Sequence, residues 1–212
     1  VTELVPLFLV ALSAVFFVVD PVGVVPIFLA ITAGDSPEKL RRTALRASLT
    51  GFGMLTFFAL FGGVIFKVFG ISLSAFRIAG GVLLLMTALD MLRAKSPGTR
   101  TSPEETEEGV HKEDVALVPL AIPLLAGPGS IATAMVLMAK GKSYVSAIPV
   151  LLAIAITFVV TYYILRGASL VQRVLGRSGV AILERVMGLI LAAIAVQFMA
   201  EGIVDFVARR AN

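Results

Sequence analysis

The chain contains no cysteine, a single histidine and little charge for its length. The missing thiols exclude disulfides and thiolate chemistry. The one histidine, His111, stands in a polar stretch, where it reads as a solvated residue rather than a metal ligand. No apolar segment therefore holds an imidazole to activate a serine, and no His-Glu-x-x-His motif is present. Asp, Glu, Lys and Arg make up 15% of the 212 residues, against roughly 25% in soluble domains. A water-soluble fold of this size needs more polar surface than these residues supply.

What the chain has instead is apolar length. Hydrophobic residues reach 58% and mean hydropathy is +0.98. They are gathered into long runs with few charges, the pattern of a polytopic helical membrane protein. A transmembrane helix needs roughly 20 mostly apolar residues, and six segments qualify. They are 4–33, interrupted at Asp20; 47–66; 72–92, with Arg77 and Asp90 near its ends; 115–139; 143–165; and 180–207, whose core Arg185 and Glu201 bracket. The stretch 4–19 has the apolar length of a signal peptide, but Glu3 precedes it, no Lys or Arg does, and no small-x-small cleavage site follows. It reads as a retained span.

The net charge of +4 and pI near 9.7 do not point to nucleic acid, because the basic residues sit in short loops between apolar runs. Twelve of the eighteen, among them Arg41, Arg42, Arg46, Arg93 and Arg166, follow spans one, three and five. The positive-inside bias places these loops in the cytoplasm and both termini outside.

A polar segment with two Ser-Pro pairs and the acidic cluster Glu104, Glu105, Glu107 and Glu108 divides the chain. It reads as a flexible cytoplasmic linker, 94–114, between a first three-span repeat, 1–93, and a second, 115–212. The halves resemble each other weakly. Asp20-Pro21-Val22-Gly23 aligns with Gly127-Pro128-Gly129-Ser130 at an offset of 107, and Arg77-Ile78-Ala79-Gly80 with Arg185-Val186-Met187-Gly188 at 108. Three is odd, so the second half enters the bilayer inverted. The predicted fold is an all-α membrane protein of six helices in two inverted-topology repeats, an architecture of secondary transporters. Arg77, Arg185 and Glu201 are expected to be interfacial anchors that snorkel. Asp90 is balanced between that role and ion coupling.

Spans one and four carry the chemistry. Pro21, Gly23 and Pro26 follow Asp20 in the first; Pro119, Pro123, Gly127, Pro128 and Gly129 crowd the fourth. Proline removes a backbone donor and crowds the preceding turn, and glycine adds freedom, so both helices should be discontinuous. Freed backbone groups cannot face lipid and must face protein or a polar cavity. A new half-helix is expected near Pro21 and near Pro128, positions where proline is favoured. In an inverted repeat the two helix starts converge near the midplane, beside the carbonyl ends of the preceding half-helices. Such a site suits a zwitterion. Asp20 either caps the second half-helix or also binds an ammonium or a proton. Ser130 and Thr133 cap or contact the ligand. Gly51, Gly53, Gly62, Gly63, Gly80 and Gly81 are expected to permit close helix packing.

At these residues the sequence resembles the MarC family of integral membrane proteins, also called the small neutral amino acid transporter family. The resemblance rests on Asp20 through Phe28, on Phe76-Arg77-Ile78-Ala79-Gly80-Gly81 with Ala88-Leu89-Asp90-Met91-Leu92, on Pro119 through Pro123 running into Ala126-Gly127-Pro128-Gly129, and on Met187-Gly188-Leu189 with Ala195-Val196-Gln197. It implies a prokaryotic inner-membrane protein of six spans and secondary transport of glycine, alanine or similar solutes, with no cofactor. Some family members carry Asn in place of Asp20, which argues against an obligatory proton-carrying role. A passive channel for small polar solutes is the alternative, although no repeated polar stripe lines the spans. An intramembrane protease is disfavoured, because Asp20 and Asp90 lie in neither a Tyr-Asp nor a Gly-x-Gly-Asp context. The oligomeric state is not legible.

Overall fold

The computed structural model describes residues 4–93, 120–121, 124–140 and 144–211. The expected linker 94–114, with His111, and the candidate Pro123 lie outside the described residues. Every regular element among the described residues is helical.

The first apolar run is not one helix. α1 spans Leu4–Val19 and α2 spans Val25–Ile31. α1 stops because Asp20 adopts a left-handed backbone, φ 52°, which Asp and Asn tolerate better than other side chains with a Cβ. One turn follows, closed by the Val24 N–H on the Asp20 carbonyl (3.3 Å) and the Val25 N–H on the Val22 carbonyl (3.1 Å). The new helix therefore starts later than the expected position near Pro21. Pro26, within its first turn, takes the role that the sequence pattern had given to Pro21.

α3, Pro37–Phe69, begins ten residues ahead of the predicted second span. Ser36 caps it by accepting from the Lys39 N–H, and Pro37 and Glu38 occupy its first turn. Its 33 residues rise roughly 50 Å where the hydrocarbon core is about 30 Å, so Arg41, Arg42 and Arg46 ride on the helix at its polar end. Gly70, φ 64°, ends it. α4, Leu73–Leu92, is capped by Ser72 and matches the predicted third span.

In the second half, the Ala126 N–H reaches the Ala121 carbonyl five residues back (3.0 Å), a turn wider than α-helical. α5 then runs Pro128–Lys140, α6 Tyr144–Arg166 and α7 Ala168–Ala211. α7 bends sharply at Gly176 (φ 63°, ψ 176°), so Arg173 and Arg177 belong to helix rather than to a loop. Four helical stretches are long and apolar enough to cross a membrane: Pro37–Phe69, Leu73–Leu92, Ala147–Arg166 and Ser178–Ala208. α1 and α5 are apolar but shorter. Those two belong to the apolar runs in which proline and glycine accumulate.

α5 lies among α1, α3, α4 and α6; α1 also packs on α6, and α2 on α7. The most extensive contact is α4 against α7. Three glycines make it close. A Cβ added at Gly81 would stand 2.8 Å from the Ala195 carbonyl oxygen, one at Gly188 3.1 Å from that of Ala88, and one at Gly202 2.9 Å from that of Ser74. Gly51 and Gly62 likewise abut Phe158 and Met135, and Gly80 abuts Ala132. Gly53 and Gly63 do not serve packing as expected: among the described residues, a Cβ added at either would meet nothing within 4 Å from another element. A second correction concerns Arg77. It is not a snorkelling anchor but a buried side chain on α4 whose guanidinium pairs with Asp205 on α7. Glu201 accepts from the Gln197 side chain one turn away (2.9 Å), and Arg185 is exposed.

Candidate functional site

The two interruptions meet. The Ser130 hydroxyl, at the start of α5, donates to the Val18 carbonyl at the end of α1 (3.5 Å). Gly129 lies over the same place, with Leu84 of α4 and the Val18 side chain nearest to where its Cβ would be. Asp20, Ser130 and Thr133 are all buried, as are Val18, Val19 and Ala126. Pro21 and Gly127 are buried as well, whereas Pro26 and Pro128 are exposed.

The two sides of this junction differ electrostatically. On the α1 side, the last carbonyls of a helix present partial negative charge, and the Asp20 side chain follows them in the chain. On the α5 side, Pro128 has no N–H and Gly127 has no side chain to serve as a cap. The Ile131 N–H reaches the Gly127 carbonyl (3.0 Å), so the Gly129 and Ser130 N–H groups are the helix's leading donors without an intrahelical acceptor. Thr133 does not add to them. Its hydroxyl is turned back onto the Gly129 carbonyl (2.9 Å).

The start of α2 is different from the start of α5, and this departs from the expectation of two bare helix starts. The Gly23 N–H is held by Asp20 Oδ1 (3.1 Å), Val24 and Val25 donate within the turn, and Pro26 has no donor. Asp20 therefore caps the turn leading into α2, and the open donors belong to α5. Gly23 must stay small for this cap to form: a Cβ there would stand within van der Waals overlap of the Asp20 carboxylate.

A graded response at Asp20 follows. Asn keeps both the left-handed backbone and an acceptor for Gly23, so Asp20→Asn should melt close to wild type. Asp20→Gly keeps the backbone but loses the cap, costing roughly a few tenths of a kcal/mol. Asp20→Ala loses the cap and places a Cβ in the left-handed region, costing about 2–3 kcal/mol in all. Thermal melts in detergent should rank the variants Asn, Gly, Ala. An alanine variant as stable as the asparagine one would remove the cap from the account.

A cavity of about 520 Å³ lies beside Pro26, bounded by Leu29 and Ala30 of α2 and by Gln172, Val180, Ala181 and Glu184 across the bend of α7. Gln172 and Glu184 had no signal in the sequence, because the bend that brings them to α2 depends on the conformation of Gly176. Asp90 is not brought to the junction. It stands near the end of α4, six residues beyond Leu84, or roughly 9 Å along the axis.

The comparison with known families settles the class. The model of the MarC family, described as "MarC family integral membrane protein", matches residues 5–207. The chain belongs to the MarC family. It is 43% identical over 196 residues to the "UPF0056 membrane protein MJ1677" of Methanocaldococcus jannaschii, covering 92% of this chain and 95% of that one. It is 39% identical to "UPF0056 membrane protein PH0760" of Pyrococcus horikoshii, over 95% and 96% of the two chains. It is 32% identical to "UPF0056 membrane protein YhcE" of Escherichia coli, over 93% and 92%. No solved structure matches the chain. Together with the apolar helices of spanning length, family membership makes this MarC protein a multi-pass integral membrane protein.

Proposed function

We propose that the protein is a secondary transporter of small neutral amino acids, of the glycine, alanine and serine class, working by alternating access. The observation that carries this reading is the hydrogen bond from Ser130 to the Val18 carbonyl, which sets a helix start against a helix end inside buried, apolar surroundings. An α-amino acid has the complementary charge pattern. Its carboxylate would sit on the Gly129 and Ser130 N–H groups, and its ammonium on the last carbonyls of α1 with the Asp20 carboxylate behind them. Pro21, Gly23, Gly127 and Pro128 shape the two bends around it. The nearness of Val18 and Leu84 to Gly129 favours a side chain of one or two heavy atoms at most.

The inverted repeat belongs to the same reading, and the packing pattern supports it. α3 of the first half rests on α5, and α6 of the second half rests on α1, so each half's unbroken helix braces the other half's broken segment. The corresponding third helices, α4 and α7, pair with each other. The positive-inside bias puts the arginine-rich end in the cytoplasm of a prokaryotic inner membrane, with both termini outside. A coupling proton, if one moves with the solute, would bind at Asp20; Asp90, near the end of α4, is the second candidate.

Purified protein in proteoliposomes should take up labelled glycine with saturation, competed by alanine and serine but not by leucine or phenylalanine. Flux that rises linearly with glycine concentration and ignores competitors would mark a pore instead. Absence of any amino acid flux or binding would end the substrate assignment.

A further inference from the structure

The arginine-rich end of the molecule carries a second feature, unconnected with the junction. Between α3 and α6 lies a groove of about 310 Å³, its wall formed by Leu45, Leu49 and Phe52 on one side and Phe158, Val159 and Tyr163 on the other. Leu49, Val159 and Tyr163 are more than half exposed, so the groove opens sideways, where a membrane protein meets acyl chains. Its mouth is basic. Arg41 stands one turn before Leu45 on α3 and Arg166 one turn beyond Tyr162 on α6, which brings both guanidinium groups near the Tyr162 hydroxyl at the end of the groove. Two cations converge there on a neutral phenol. Each guanidinium has five N–H donors, and one phenol oxygen takes up only a small part of them. Within the groove stands Ser48, almost fully buried, whose Oγ has no hydrogen-bond partner. An unpartnered buried hydroxyl is costly and calls for an acceptor.

We infer that this groove is a specific site for an anionic phospholipid of the leaflet at the arginine-rich end. The three features have the spacing of one lipid molecule. Ser48 lies seven residues below Arg41 along α3, roughly 10 Å at helical rise, the depth at which glycerol ester carbonyls follow a phosphate. The phosphate binds Arg41 and Arg166, an ester carbonyl accepts from Ser48, and one acyl chain lies along Leu49, Phe52 and Val159. Charge complementarity selects an anionic headgroup: phosphatidylcholine and phosphatidylethanolamine bring their own cation to a place that already holds two. The inference does not depend on what the protein transports.

Native mass spectrometry of the purified protein, with phosphatidylglycerol or phosphatidylcholine titrated into the detergent, tests it. Phosphatidylglycerol should be retained at one copy per chain at activation energies that strip phosphatidylcholine. The double variant Arg41→Gln, Arg166→Gln should weaken that retention at least about tenfold, Ser48→Ala severalfold, and Lys67→Gln at the opposite end of α3 not at all. Equal retention of both lipids, or an equal loss in the Lys67 variant, would overturn the inference, because binding would then be general to the belt or to net charge. Should the double variant not fold, the native absence of cysteine allows Val159→Cys to be labelled with a nitroxide. Spin-labelled phosphatidylglycerol should broaden its spectrum more than spin-labelled phosphatidylcholine does, and equal broadening overturns the site. Crosslinking of Val159→Cys to a second copy at dilute protein would assign the groove to a subunit interface and likewise overturn it.

Discussion

Replacing Gly202 or Gly81 with leucine is expected to deplete the folded protein from membranes, and replacing either with alanine to lower stability by about 1–3 kcal/mol. Lipid tails are as apolar as the side chains they compete with, so burial alone gives little drive for two membrane helices to associate, and close backbone approach becomes the main source of attraction. α4 and α7 form the most extensive helix–helix contact in the structure. At Gly202 a Cβ would stand 2.8 Å from Ile78 Cγ1, 2.9 Å from the Ser74 carbonyl oxygen and 3.1 Å from Arg77 Cβ; at Gly81 it would meet Met199 Cγ at 2.5 Å and the Ala195 carbonyl oxygen at 2.8 Å. A side chain tip can swing away, but a carbonyl oxygen moves only with its helix. Separation at Gly202 also strains the Arg77–Asp205 ion pair, since Arg77 is one of the atoms' owners that must move. Gly53→Ala and Gly63→Ala are the counterparts. Among the described residues, a Cβ at either meets no atom of another element within 4 Å, and each should gain up to about 1 kcal/mol from helix propensity. Unfolding in mixed micelles, followed by far-ultraviolet circular dichroism, separates the two groups. If all four alanine variants melted together, close backbone approach would not be what holds α4 to α7.

The contrast among these glycines was legible in part from the sequence. Gly51 and Gly62 are eleven residues apart, which at 100° per residue returns them to within about 20° of one helix face, whereas Gly53 falls about 160° from Gly51. Helical arithmetic thus sorts packed from open positions without coordinates. Four of the six expected spans were legible because membrane helices must be apolar over a fixed length, and the interruption at Asp20 because proline and glycine act locally. The start of α3 escaped a hydropathy reading because its first turns carry Arg41, Arg42 and Arg46, although Ser36-Pro37-Glu38 is an ordinary helix-start signal. The pairing of Arg77 with Asp205 was out of reach. The two are 128 residues apart, and which residues meet across α4 and α7 depends on a register that no local pattern encodes. The closed start of α2 was hidden for a related reason: it turns on the left-handed backbone of Asp20, which the residue tolerates but does not announce. The burial of Asp20, by contrast, follows from its being the one charge in its apolar run.

Gly129→Leu should abolish glycine transport, by at least about a hundredfold, while leaving a folded protein. The position is the narrowest test of the junction, because its neighbours come from two other elements: Leu84 of α4 at 3.2 Å and Val18 of α1 at 3.9 Å from an added Cβ. These are side-chain methyl groups rather than backbone, so alanine needs only a shift of a few tenths of an ångström in Leu84. Gly129→Ala should therefore fold normally and keep transport within about tenfold. Leucine adds three further carbons, which must fill the space between α5 and α1. They would cover the Gly129 and Ser130 N–H groups and displace Ser130 from the Val18 carbonyl, so the proposed carboxylate site and the proposed ammonium site are lost together. Size-exclusion profile and helical content establish that the leucine variant is folded; uptake in proteoliposomes then reads the site alone. A purely structural role for Gly129 predicts the reverse pattern, with stability falling from glycine to alanine to leucine and the specific activity of whatever remains folded unchanged. Wild-type uptake by a folded leucine variant would move the solute's path away from the meeting point of α1 and α5, and the assignment of a zwitterion to that point would go with it.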